Sequence, residues 1–126
     1  MLAITLGEPA GIGLELVAQL EAERKLLDCV LIGDQQMIHQ SMPSFPKSQI
    51  HHIPLNGRNQ LGQLNSENAQ YVLNTIEAGV QGCLSGDFQA MITCPIHKGV
   101  INDAGVVFSG HTEFLAELTQ TNKVVM

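Results

Sequence analysis

Residues Met91 to Phe114 read MITCPIHKGVINDAGVVFSGHTEF. Met91 and Ile92 open the stretch as a short apolar run that ends at Pro95. Proline has no N–H to give to a ladder, so a strand stops there and the chain turns outward. This is how a buried strand finishes in an α/β protein. Beyond it come His97, Lys98, Asn102, Asp103, Ser109, His111, Thr112 and Glu113, punctuated by Gly99, Gly105 and Gly110. Open α/β sheets bind their ligands just past the carboxyl ends of their strands. The stretch is therefore the candidate site.

Working outward, the chain alternates strand and helix. Leu2 to Leu6 is a short apolar strand followed by Gly7-Glu8-Pro9-Ala10-Gly11-Ile12-Gly13. That turn is neither the dinucleotide fingerprint G-x-G-x-x-G nor a P-loop, which needs a Gly-Lys pair. Its glycines still let a ligand approach the backbone N–H groups of a helix start. The helix is expected to run to about Lys25, with Ile12, Leu16, Val17 and Leu20 on one face and Glu15, Gln19 and Glu23 on the other. Leu26 to Ile32 reads as a parallel strand buried on both faces. Asp34 caps a helix to about Ser41, which Pro43 and Pro46 end.

Gln49 to Ile53 is a more polar third strand, nearer an edge, on which His51 and His52 point to opposite faces. Pro54 to Asn65 reads as an exposed connection. The clearest helix runs from Ser66 to about Gln81, with Ala69, Val72, Leu73, Ile76 and Val80 at helical spacing, Asn65 as its cap and Gly82 and Gly86 beyond it. A strand over Gln89–Cys94 follows, then a helix from near Gly110 with Phe114, Leu115 and Leu118 inward. Another strand begins at Lys123–Met126. The fold class is α/β: a mostly parallel sheet flanked by helices. Residues 1–126 form a single α/β segment, expected to be the N-terminal part of a longer two-domain enzyme because the chain stops in an apolar run.

Composition bounds what such a site serves. A net charge of −6 lacks the basic stripe that nucleic acid requires. No apolar run approaches the ~18 residues of a membrane-spanning helix, and the N-terminus has no basic region of a secretory signal. Lys98 is the only fixed positive charge between Asn59 and Asn122. It suits an anionic small ligand, though position alone favours a solvated surface lysine. Cys29, Cys83 and Cys94 are an odd number without metal-ligand spacing. With Cys29 and Cys94 in apolar runs, a reducing cytoplasm is expected.

Within the key stretch, His111 and Thr112 fall at a helix start, where unsatisfied N–H groups and the dipole favour anions. An adjacent imidazole and hydroxyl suit a hydroxyl, carboxylate or phosphate oxygen. The alternative is that Ser109 or Thr112 caps the helix and His111 faces water. A Ser109–His97–Asp103 triad lacks the G-x-S-x-G elbow. A metal site from His97, His111 and Asp103 has suitable donors but no compact ligand spacing.

Gly7-Glu8-Pro9-Ala10-Gly11-Ile12-Gly13 resembles the opening motif of the 4-hydroxythreonine-4-phosphate dehydrogenases. Pro95 to Gly105 (PIHKGVINDAG) followed by Gly110-His111-Thr112-Glu113-Phe114 is similar to that family's most distinctive sequence. Leu14 departs from the proline that family members often carry there.

The resemblance implies an isocitrate/isopropylmalate dehydrogenase-like fold, a homodimer with its active site near the dimer interface, and an NAD-dependent oxidation in pyridoxal phosphate biosynthesis. The substrate implied is 4-phosphohydroxy-L-threonine, a phosphorylated small molecule. A divalent metal (Zn, Mg or Co) polarises the oxygen being oxidised. Carried over by position, His111 and Thr112 are the substrate-binding pair. The family's three metal-binding histidines come later in its chains, and His39, His51, His52 and His97 do not match them. Two other readings remain open: a dehydrogenase of threonate or erythronate phosphate, and a non-catalytic binding or dimerisation module.

Overall fold

Four short runs of branched and apolar residues, each bounded by turn residues, form the sheet. In the computed structural model, which describes residues 1–124, these are β1 (Leu2–Thr5), β2 (Cys29–Gly33), β3 (Ile50–His52) and β4 (Ala90–Thr93). Between and after them lie α1 (Gly13–Ala22), α2 (Gln35–Ser41), α3 (Ala69–Ser85), α4 (Lys98–Asp103) and α5 (His111–Leu118). The strand order is β3-β2-β1-β4 and every pairing is parallel. This is the α/β architecture that the alternation of strands and helices predicts.

The register decides which side chains share a face. Ile4 stands beside Leu31 and Ile92, and Ala3 beside Val30 and Met91. Successive strand residues point to opposite faces, so these two rows look opposite ways. On the first face, Ile4, Leu6 and Leu31 pack with Val17 of α1 and with Ile38, Met42 and Phe45 from α2 and the loop after it. On the second, α3 lays Val72, Leu73, Ile76 and Val80 down near Met91, joined by Ile101, Phe108, Phe114, Leu115 and Leu118. Each such buried side chain contributes roughly 1.5–3 kcal/mol of transfer free energy.

Asp34 caps α2 as its position predicts: its side chain accepts from the Met37 N–H at 2.9 Å. β3 is the polar edge strand, and His52 Nδ1 accepts from the Gln35 N–H at 3.1 Å. Asn65 accepts from the Glu67 N–H at 3.0 Å, but the turn it starts, Ser66–Asn68, is 3-10. The α-helix proper begins at Ala69, continues through Gly82 to Ser85, and stops at Gly86, whose φ of +88° is the usual left-handed exit.

Several expectations need correction. α1 ends at Ala22, three residues short of Lys25, and turns Gly13, Val17 and Leu20 toward the sheet. Ile12 and Leu16, expected on its buried face, form a neighbouring stripe that is 55% and 39% exposed. The second strand starts at Cys29, because Leu26–Asp28 is a turn in which Leu27 is 72% exposed. β4 is not buried on both sides. Among the described residues it lies at the sheet's edge, with Ile92 49% exposed. Of the strand expected over Lys123–Met126, Lys123 and Val124 carry no regular structure, and Val125 and Met126 lie outside the described residues.

Candidate functional site

The sheet order contains one reversal. From β1 the chain steps outward to β2 and β3, with α1 and α2 packed together on one face. α3 then returns across the other face and delivers β4 to the far side of β1. The strand order therefore reverses between β1 and β4. The crevice outside the carboxyl ends at such a point is where open α/β sheets hold ligands.

Two turns emerge there and are stitched together. The Cys94 N–H donates to the Thr5 carbonyl at 3.0 Å, and the Glu8 N–H donates to the Pro95 carbonyl at 2.9 Å. Gly7, at φ +71°, sits flush against the Cys94–Pro95 backbone, a position no side chain shares without collision. The motif after β1 and the motif after β4 thus form one wall.

The connection before α3 supplies a second wall. Sequence alone reads it as an exposed loop, yet it crosses the first turn as a strap. Asn59 Nδ2 donates to the Pro9 carbonyl at 2.9 Å and the Gly62 N–H to the Ala10 carbonyl at 2.8 Å. The strap is held in turn by Asn68 Nδ2 and Asn65 Nδ2, which donate to the Arg58 carbonyl at 3.0 and 3.2 Å. Asparagines scattered along a polar loop carry no periodicity, so these ties leave no pattern to read.

The polar stretch after β4 is partly structural. His97 Nδ1 accepts from the Val100 N–H at 3.2 Å and caps α4, which buries Val100 and Ile101. Asn102 Oδ1 accepts from the Phe108 N–H at 2.9 Å, so it too supports the chain. The sequence reading missed α4. Six residues are too few to show a period, and the available signal was the capping position of His97. No hydrogen bond among the described residues joins Ser109, His97 and Asp103, and no three His, Cys, Asp or Glu side chains converge on a metal position among them. Lys98 is exposed, and the ion pair found among the described residues is Lys25–Glu23.

His111 and Thr112 open α5. Gly110 holds the cap position with no side-chain bond, so neither Ser109 nor Thr112 is a cap. The helix is anchored by Phe114, stacked at a tilt on Phe108 with ring centroids 5.5 Å apart. His111 is half-buried rather than facing water. Burial pushes its pKa below the ordinary imidazole value. Among the described residues its Nε2 is buried without a hydrogen-bond partner, and an unpaired buried polar atom costs about 1–3 kcal/mol. Thr112 is half-buried beside it. A neutral imidazole with a free ring nitrogen is suited to a polar ligand atom. Cys94, by contrast, is buried beside Gly13 with its thiol pKa raised by desolvation, which makes it a packing residue.

The layer is a parallel α/β sheet covered on both faces, with two glycine turns meeting at its reversal point, where open sheets of this class hold ligands. Residues 15–126 match the family model described as pyridoxal phosphate biosynthetic protein PdxA, and the chain belongs to that family. It is 49% identical to a 4-hydroxythreonine-4-phosphate dehydrogenase of Aromatoleum aromaticum, covering 100% of this chain and 43% of that protein. The enzyme of the same name from Chromobacterium violaceum is 43% identical over 100% of this chain and 44% of its own length. The chain therefore spans less than half the length of these relatives. A crystal structure of 4-hydroxythreonine-4-phosphate dehydrogenase from Klebsiella pneumoniae superposes with a TM-score of 0.81 at 26% identity, covering 95% of this chain and 44% of that one. The fold is thus part of the isocitrate/isopropylmalate dehydrogenase-like architecture.

Proposed function

We propose that this chain is the N-terminal portion of an NAD-dependent 4-hydroxythreonine-4-phosphate dehydrogenase acting in pyridoxine 5'-phosphate biosynthesis. In the reaction, the carbon bearing the substrate hydroxyl gives a hydride to NAD while the hydroxyl proton leaves, forming a ketone. Cleavage of the bond to the carboxylate then releases carbon dioxide and gives 3-amino-2-oxopropyl phosphate. The observation that carries this reading is the wall built by Gly7 and Pro95, which joins two motifs shared with that family at the sheet's reversal point.

His111 and Thr112 are the substrate-binding residues. The partnerless Nε2 supports a polar contact from His111, and the Thr112 hydroxyl adds a second beside it. The reading includes a divalent metal (Zn, Mg or Co), a homodimer and a cytoplasmic location. The described residues do not fit a metal site, since they bring no three ligating side chains together. No helix among them is long and apolar enough to cross a membrane.

The test is the purified full-length protein with NAD and 4-phosphohydroxy-L-threonine, followed by NADH absorbance and product mass. Turnover of that substrate, weakened by His111→Ala, is expected. No NAD reduction by the full-length protein overturns the reading.

A further inference from the structure

The strap over the turn after β1 is fastened by hydrogen bonds and by little else. Gly57 aside, every residue in 56–64 is exposed, Leu61 and Leu64 at 72% and 50%. The stretch therefore adds no buried apolar side chain to either core. At its tip Gly62 is left-handed at φ +77°, and no atom lies within 4 Å of where a Cβ would stand. Its N–H on the Ala10 carbonyl is the contact there, with Asn59 on the Pro9 carbonyl behind it. Both ends, by contrast, are anchored. Leu55 donates to Asp34 and packs against the α3 core, and Asn65 accepts from the Glu67 N–H at the turn into α3.

Seating the strap also leaves a polar atom stranded. Asn68 is 1% exposed, and its Nδ2 donates to the Arg58 carbonyl. Its Oδ1 is buried with no partner among the described residues. Gly57 lies over that oxygen so closely that a Cβ there would collide with it. A buried acceptor without a donor is costly, and lifting the strap returns Oδ1 to water. A segment with few apolar contacts and solvent-facing hydrogen bonds opens independently of the core beneath it.

We infer that residues 56–64 are a lid that opens and closes on the turn after β1, and that a phosphate-bearing ligand at the reversal point draws it shut. The inference rests on the proposed function and deepens it. Arg58 is the lid's one cation, and it makes no ion pair among the described residues. With Asn59, Gln60 and Gln63 it lines a cleft of about 630 Å³ on the seated lid. A guanidinium and carboxamides are the donors that phosphate oxygens accept from. Opening withdraws them, so the ligand binds the closed form more tightly, which is what ligand-driven closure requires.

Amide exchange read by mass spectrometry on the full-length protein tests this, with one peptide covering residues 56–64 and one within α3. In the free protein the lid should exchange about 100-fold faster than α3, the mark of local opening. Saturating 4-phosphohydroxy-L-threonine alone, or NAD alone, should slow the lid about tenfold and leave α3 unchanged. Which of the two acts tells whose phosphate the lid meets. Arg58→Gln keeps the backbone tie to Asn68, so its free exchange and unfolding temperature should match the parent's while most of the slowing is lost. A free lid as protected as α3, a lid that neither ligand slows, or slowing undiminished in Arg58→Gln overturns the inference. If such a protein still reduces NAD with the substrate, the proposed function stands. A protein that shows neither turnover nor any slowing overturns both.

Discussion

Gly7 is seated against Pro95. At φ +71° its α-carbon faces the Cys94–Pro95 backbone, and a Cβ there would lie 2.8 Å from the Cys94 carbonyl oxygen and collide with that of Pro95. Gly7→Ala combines a left-handed conformation, costing about 1–3 kcal/mol for a residue with a side chain, with a clash against backbone that cannot rotate away. The variant should lose at least about 2 kcal/mol of stability in a urea titration. A loss below about 0.5 kcal/mol would show that the two turns are not held together as described.

Asp34 ties three elements with one side chain and one N–H. Oδ1 accepts from Met37, Oδ2 accepts from Leu55 at 3.0 Å, and its backbone N–H donates to the Tyr71 hydroxyl at 3.0 Å. Asp34→Ala removes a helix cap and a tether to the strap's start, each worth about 1 kcal/mol. The expected cost is about 2 kcal/mol by urea titration, and Asp34→Asn should recover part of it. Equal stability of the alanine variant and the parent would sink this account.

What was legible in the sequence follows the length of each signal. The α3 stripe of Val72, Leu73, Ile76 and Val80 repeats over more than two turns and was readable, as was the Asp34 cap, whose chemistry is local. Ile12 and Leu16 misled because an apolar residue in a helix says nothing about which neighbour covers it. β4 misled for the same reason: its composition suits a central strand, while its position is an edge. At the site, the two motifs were visible, but the strap from Asn59 and Gly62 and the buried state of Glu8 depend on contacts between distant segments. Spacing alone left His111 open between cap-side solvent and ligand. What spacing could not show is that His111 is half-buried, with its Nε2 unpartnered among the described residues.

His111 should also be visible in the pH dependence of stability. Desolvation places its folded pKa below the ordinary value of 6.5, so on acidification the unfolded chain takes the proton first. The stability it confers is fully present above that ordinary value and is lost as the pH falls through the lower, folded value. Urea midpoints of the parent should therefore drop between about pH 7 and pH 5, and His111→Asn should flatten part of that drop. In the full-length protein, His111→Ala should weaken use of the phosphorylated substrate by about 1–3 kcal/mol, the range for losing a hydrogen bond to a charged group. Parallel pH profiles for parent and variant, with unchanged kcat/KM, would assign His111 to packing.

The last prediction concerns the open side of β4. Its inner side pairs with β1 from Ala90 to Thr93, and among the described residues nothing pairs with its outer side. Ile92 is half exposed there, while Ile12 and Leu16 stand exposed at and after the start of α1. An unpaired strand with an apolar row templates pairing with another chain, and exposed apolar area adds a driving force of roughly 25 cal/mol per Å² covered. The 126-residue chain should therefore self-associate at micromolar concentrations in sedimentation velocity. Ile92→Lys puts a charge on that edge at a position too exposed to destabilise the core, and should shift the population toward monomer with little change in unfolding temperature. A parent chain that sediments as a monomer across that range, or a lysine variant that associates equally, would place the adhesive surface elsewhere.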